Sequence, residues 1–129
     1  MSLETMEPNP VWTEEAYADS VDTLASLRTE LKYKVWGGDW CIDCRSQLPD
    51  FAAALEAADV PAHRIEHFPV EKADDGSKVG PEVEEYDIEY IPTVVVERDG
   101  EEVARFVEEE PVPISVYLAR ELEDLVPSV

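Results

Sequence analysis

Four side chains in this chain could do chemistry that most residues cannot: Cys41 and Cys44 within the stretch DWCIDCR, and His63 and His67. Two thiols three positions apart can bind a metal, form a staple or exchange electrons. Metal is the first case. Cys41-x2-Cys44 followed by His63-x3-His67 superficially resembles a zinc finger, but 18 residues separate Cys44 from His63, against the usual ~12. A finger also carries its histidines on one helix face. Here they lie in the alternating stretch His63-Ile65-His67, flanked by Pro61 and Pro69, which reads as a strand. Two side chains four residues apart on a strand sit roughly 13 Å from each other, too far to share one ion. No metal site is expected, and the histidines read as ordinary strand residues. A staple is the second case. A bridge across so short a loop gains little entropy.

Redox chemistry is the third case, and it depends on where the cysteines sit. If Cys41 starts a helix over residues 41–58, the unpaired N–H groups and the helix dipole stabilise a thiolate there. A thiolate is the form that attacks disulfides. Cys44, one turn further in, is within reach to resolve the mixed disulfide.

The elements that must position this pair follow from patterning. Residues 1–11 are rich in Pro, Glu and Asn and read as a tail, with the domain running over 12–129. Thr13, Glu14 and Glu15 open a helix whose inward residues are Tyr17, Val21, Leu24, Leu27 and Leu31. KYKVW (32–36) is a strand ended by Gly37 and Gly38. The 41–58 helix turns Leu48, Phe51, Ala52 and Leu55 to one side and contains Pro49, which kinks it. Residues 63–71 form a second strand, 72–80 a loop, and Pro81 opens a short helix to about Tyr86. TVVVE (93–97) is apolar enough for a central strand. Asp99-Gly100 turns a hairpin into a strand over 102–108. A last helix, about 113–126, faces inward with Ile114, Tyr117, Leu118, Leu122 and Leu125. The order predicts an α/β fold: a four-stranded mixed sheet with helices on both faces, plus the N-terminal helix.

Composition sets the surroundings. The chain has 129 residues, one domain's worth, and holds 31 acidic against 10 Lys and Arg residues, a net charge of −21. Such a surface repels phosphate backbones, which argues against nucleic acid as a partner. It fits adaptation to high salt, where screening relieves carboxylate repulsion. No apolar run approaches the ~20 residues that span a bilayer, and the start of the chain lacks an export pattern. A soluble, cytoplasmic protein without membrane contact is expected.

With the elements in place, Trp40-Cys41-Ile42-Asp43-Cys44 resembles the active-site motif of the thioredoxin family. Three further matches support it. Pro49 falls where the family kinks this helix, Ile91-Pro92-Thr93 resembles its cis-proline segment, and Asp99-Gly100 lies at its last hairpin. The resemblance covers about residues 13 to 126. It implies a thioredoxin-like fold and a thiol–disulfide oxidoreductase that reduces protein disulfides, with Cys41 as nucleophile and Cys44 as resolving thiol. Pro92 would be cis. Ile91 would pair its backbone with an extended substrate segment, and Trp40 and Tyr90 would be exposed flanks for docking. Disulfide-containing proteins, a thioredoxin-reductase-type electron donor and a monomeric state follow, with no cofactor. The alternatives are a thioredoxin-like module that only binds partners, or a disulfide isomerase or oxidase.

The sequence also departs from the family. Where thioredoxins keep a buried acid, six residues before the first cysteine, stands Val35. Asp43, beside Cys44, is the nearest carboxylate to take the Cys44 proton, directly or through water. Its other reading is a charge that favours the helix N-terminus. Gly37 replaces a common Trp, Tyr90 a small residue, and the glycine usual after the last strand is missing near Glu108. Lys32 and Lys34 stand unexpectedly in an inner strand, where they must either reach the strand end or meet a carboxylate.

Overall fold

A computed structural model describes residues 3–108 and 110–126. Its sheet is built on β1 (Leu31–Gly37), which is buried except at Lys32. Strand β2 (Ile65–Pro69) runs parallel to it, pairing Val35 with His67 and Gly37 with Pro69. On the other side β5 (Thr93–Arg98) runs antiparallel, with Val35 opposite Val94. Next to β5 lies β6 (Glu101–Val107). The order is β2-β1-β5-β6, the expected four-stranded mixed sheet. Asp99 and Gly100 both have positive φ (53° and 86°), as the tight Asp-Gly hairpin requires. The second strand is shorter than the expected 63–71, and beyond it β3 (Glu71–Lys72) pairs with β4 (Lys78–Val79) in a two-rung hairpin that closes the 72–80 loop.

Side-chain alternation splits the sheet into two faces. Tyr33, Val35, Val94 and Phe106 lie on one of them and are buried. Against them pack α2 (Ile42–Ala57), through Phe51 edge-on to Tyr33, and α3 (Ile114–Leu122), through Tyr117 edge-on to Phe106. Helix α1 (Ala18–Ser26) packs on α3. It is shorter than the expected 13–31. The first turn, Glu14–Tyr17, is 3-10, and Leu31 is claimed by β1 opposite Arg98. The last helix likewise ends at Leu122, with a 3-10 turn over Glu123–Leu125.

The opposite face differs from expectation. No regular helix forms over 81–86: the segment is a series of turns, with Glu82 and Asp87 in the left-handed region (φ 57° and 54°). Tertiary contacts override the helical pattern. Trp36 Nε1 donates to Pro81 O at 2.9 Å, and its ring packs on Phe68 and Tyr86. Lys34, buried on this face, donates to Tyr86 Oη at 2.7 Å and Glu82 Oε1 at 3.3 Å, and Tyr86 donates to Glu97 Oε2 at 2.6 Å. Burial pulls the Lys34 ammonium down, but the bond to Tyr86, the charge of Glu97 and the bond to Glu82 outweigh it and hold it above an ordinary lysine. Lys32 pairs with Glu66. Both strand lysines therefore meet carboxylates.

The tail reading of residues 1–11 also needs correction for its described part. Leu3 and Met6 are buried and the Glu4–Met6 turn packs on α2. Leu3 and Met6 bury their side chains in the core, and average composition does not show which residues of the segment will do so.

Candidate functional site

Cys41 is the N-cap of α2, in extended conformation, and its Sγ accepts the backbone N–H of Cys44 at 3.4 Å. Asx, Ser or Thr oxygens usually fill this role. Here a sulfur does, so an otherwise unpaired helix N–H points at the half-exposed thiol. Cys44 lies one turn in and is fully buried. Its Sγ accepts the Gly38 N–H at 3.5 Å. Burial, the largest influence, pushes the Cys44 thiol well above the usual range. The Gly38 N–H opposes this, while Cys41 and the Asp43 charge add to it. Both cysteines are free thiols.

The Ile91-Pro92 bond is cis, as the resemblance implied, and Ile91 O lies 3.9 Å from Cys41 Sγ. Trp40, Ile42 and Tyr90 are 46%, 75% and 51% exposed, an apolar rim beside the half-exposed thiol. The Trp40 indole is fixed by its Nε1 donating to Val70 O at 2.8 Å. Its ring lies across Gly38, where a Cβ would stand 2.5 Å from Nε1, so only glycine lets the indole lie there. Asp43 is exposed in the first turn of α2. Val35 is fully buried. Its register partner on the same face is His67, whereas His63 is exposed in a 3-10 turn.

Three residues of the site were not singled out in the sequence: Gln47, Asp39 and Leu3. Gln47 Nε2 donates to Glu108 O at 2.7 Å, and Glu108 N donates to Pro92 O at 2.8 Å. This chain of bonds ties the second turn of α2 to the proline. Glu108 has φ 54°, the left-handed backbone for which the family keeps glycine. Asp39 takes the backbone N–H of Glu4 and Thr5 on its two oxygens. Only its place before Trp40-Cys41 hinted at it. Leu3 has no local signal at all.

Comparisons agree with this geometry. No family model matches the sequence, and neither does any curated protein. Solved structures do. Mitochondrial thioredoxin 3 from Saccharomyces cerevisiae, in its oxidized form, superposes with a TM-score of 0.53 at 16% identity, over 77% of this chain and 82% of that one. A single-residue Asn-to-Gln mutant of the thioredoxin from Halobacterium salinarum NRC-1 gives 0.53 at 19% identity, over 100% and 99%. At such identities the likeness speaks for the backbone, and with the sheet order and the Cys41–Cys44 corner it says that this chain has the thioredoxin fold.

Proposed function

We propose that the protein is a thiol–disulfide oxidoreductase that reduces protein disulfides. The observation that carries this reading is the asymmetry of the two sulfurs. Cys41 is half-exposed with a helix N–H on its Sγ, while Cys44 is buried, one turn away and hard to ionise. A Cys41 thiolate attacks one sulfur of the substrate disulfide. The other sulfur leaves as a thiolate and takes a proton, and a mixed disulfide remains on Cys41. Cys44 then loses its proton and attacks Cys41 Sγ, and the second substrate thiol departs. The substrate has gained two electrons and two protons, and the protein holds a Cys41–Cys44 disulfide. A reductase-type donor returns it to the dithiol. Trp40, Tyr90, Ile91 and Pro92 would seat the substrate, the Ile91 backbone pairing with an extended segment. Asp43 would take the Cys44 proton through water. Working conditions would be saline, given the charge.

Reduction of insulin by dithiothreitol, followed in molar salt, tests this. The protein should accelerate it, Cys41→Ser should abolish the acceleration, and Cys44→Ser should accumulate mixed disulfides. A partner-binding module would leave insulin oxidised at the uncatalysed rate. Alkylation at neutral pH that labels Cys44 before Cys41 would reverse the two roles.

A further inference from the structure

The described residues ahead of α1 make an unusual set of bonds. Leu3 N donates to His67 Nδ1 at 3.0 Å. Glu4 N and Thr5 N donate to the two oxygens of Asp39 at 3.3 and 3.0 Å. Asn9 N donates to Pro49 O at 3.1 Å, and Asn9 Nδ2 to Asp50 Oδ1 at 2.8 Å. Residues 3–9 are thus a strap that runs from the loop before Cys41 to Pro49 and Asp50 of α2. Its first side chain goes furthest in. Leu3 is 3% exposed. A Cβ on Gly37 would stand 3.4 Å from Leu3 Cδ1 and 3.5 Å from Cys44 Sγ. Leu3 and Cys44 therefore close on the same small space, which the missing Gly37 side chain leaves.

We propose that this strap is a positioning element of the dithiol: Leu3 plugs the approach to Cys44, and Asp39 locks the plug to the loop that carries Cys41. Building on the reading of Cys44 as the resolving thiol, the consequence is selectivity. A thiol walled in by Leu3, Leu48 and Gly37 stays protonated and out of reach of outside reagents. It can attack only the mixed disulfide formed one helical turn away. Asp39 makes the coupling direct, because one carboxylate holds two strap N–H groups while its own backbone leads straight into Trp40-Cys41. Leu3 and Asp39 act through Cys44 and Cys41, not on the substrate.

The test uses the full chain with Cys41→Ser, so that Cys44 is the one thiol, and measures iodoacetamide alkylation from pH 6 to 10 in molar salt. Leu3→Ala should raise the Cys44 rate at pH 8 by about 10-fold or more and move the pH midpoint down. Asp39→Asn should shift both in the same direction by less, and Leu3→Met should restore the parent profile. Leu122→Ala makes the same truncation in the core of α3, away from the cysteines, and should leave the profile unchanged. Equal profiles for Leu3→Ala and the parent would overturn the proposal, as would a Leu122→Ala profile matching that of Leu3→Ala, since Cys44 access would then track stability alone. Should Leu3→Ala fail to fold, Asp39→Asn, which keeps the plug, decides by the same shift. The readout needs no turnover: a shifted profile without insulin reduction would sink the proposed function and spare the strap, and the converse result would do the opposite.

Discussion

At the scale of single residues, the central chemical question is how Cys44 loses its proton. Thioredoxins place an acid where this chain has Val35, and Val35 is fully buried. Asp43 has two effects of opposite sign. Its charge helps push the Cys44 thiol up, so removing that charge alone would ease ionisation and speed resolution. If Asp43 accepts the proton through water, removing it slows resolution by about 100-fold, the low end for general-base catalysis. The expected outcome for Asp43→Asn is the slower one. It is read as the decay of a preformed mixed disulfide across pH 6 to 9, apart from its formation. Faster decay would show Asp43 to be only a charge at the helix end.

The element whose behaviour most needs explaining is the stretch of turns from Pro81 to Asp87. It leads to Ile91-Pro92, so what holds it also places the proline beside Cys41. Lys34 supplies part of that hold, beside the bonds from Trp36 to Pro81 O and from Arg105 to Tyr86 O. Its side chain is 11% exposed and that of Glu97 12%, and Tyr86 lies between them with bonds to both. Breaking a buried pair by removing one partner leaves the other charge uncompensated, a loss of about 3 kcal/mol. Lys34→Met should therefore lower the unfolding free energy by about that much, with the m-value unchanged, when unfolded by guanidinium titration. A loss under about 1 kcal/mol, a third of the cost expected for a broken buried pair, would mean that the segment is held by the packing of Trp36 on Tyr86 and Phe68 instead. Exposed pairs such as Lys32–Glu66 would show far less, because solvent screens them.

For the whole molecule, charge outweighs every other feature of composition. A net −21 on 129 residues means mutual repulsion that favours expanded states. The Debye length falls from about 10 Å at 0.1 M salt to about 3 Å at 1 M, so most of that repulsion vanishes in molar salt. The melting temperature should rise by about 10 °C or more between about 0.1 and 2 M sodium chloride, since ~1 kcal/mol shifts a domain of this size by several degrees. Calorimetry at constant pH checks this. A flat melting temperature over that range would refute adaptation to high salt. The acidic bias reaches even backbone-demanding positions: Asp59, Glu82, Asp87, Asp99 and Glu108 all adopt positive φ, where glycine is the cheaper choice.

What the sequence alone determined are features written in local spacing. Cys-x-x-Cys next to a strand end places one thiol at a helix cap and the other a turn inside. Alternation and apolar runs identify the four strands of the main sheet, and Asp-Gly identifies the hairpin between the last two. Each depends on residues within a few positions of one another, so period and turn chemistry suffice. What only the tertiary structure decided depends on partners far apart in the chain. The 81–86 helix gives way to turns because Trp36 and Lys34, on the distant strand β1, bond to Pro81 O and Tyr86 Oη. The strap docks because Asp39, His67 and Pro49 each accept one or more of its backbone N–H groups, and no pattern inside residues 3–9 encodes those acceptors. Lys34 looked misplaced as a strand residue until folding brought Glu82, Tyr86 and Glu97 around it, because a buried charge can be judged only together with the partners that compensate it.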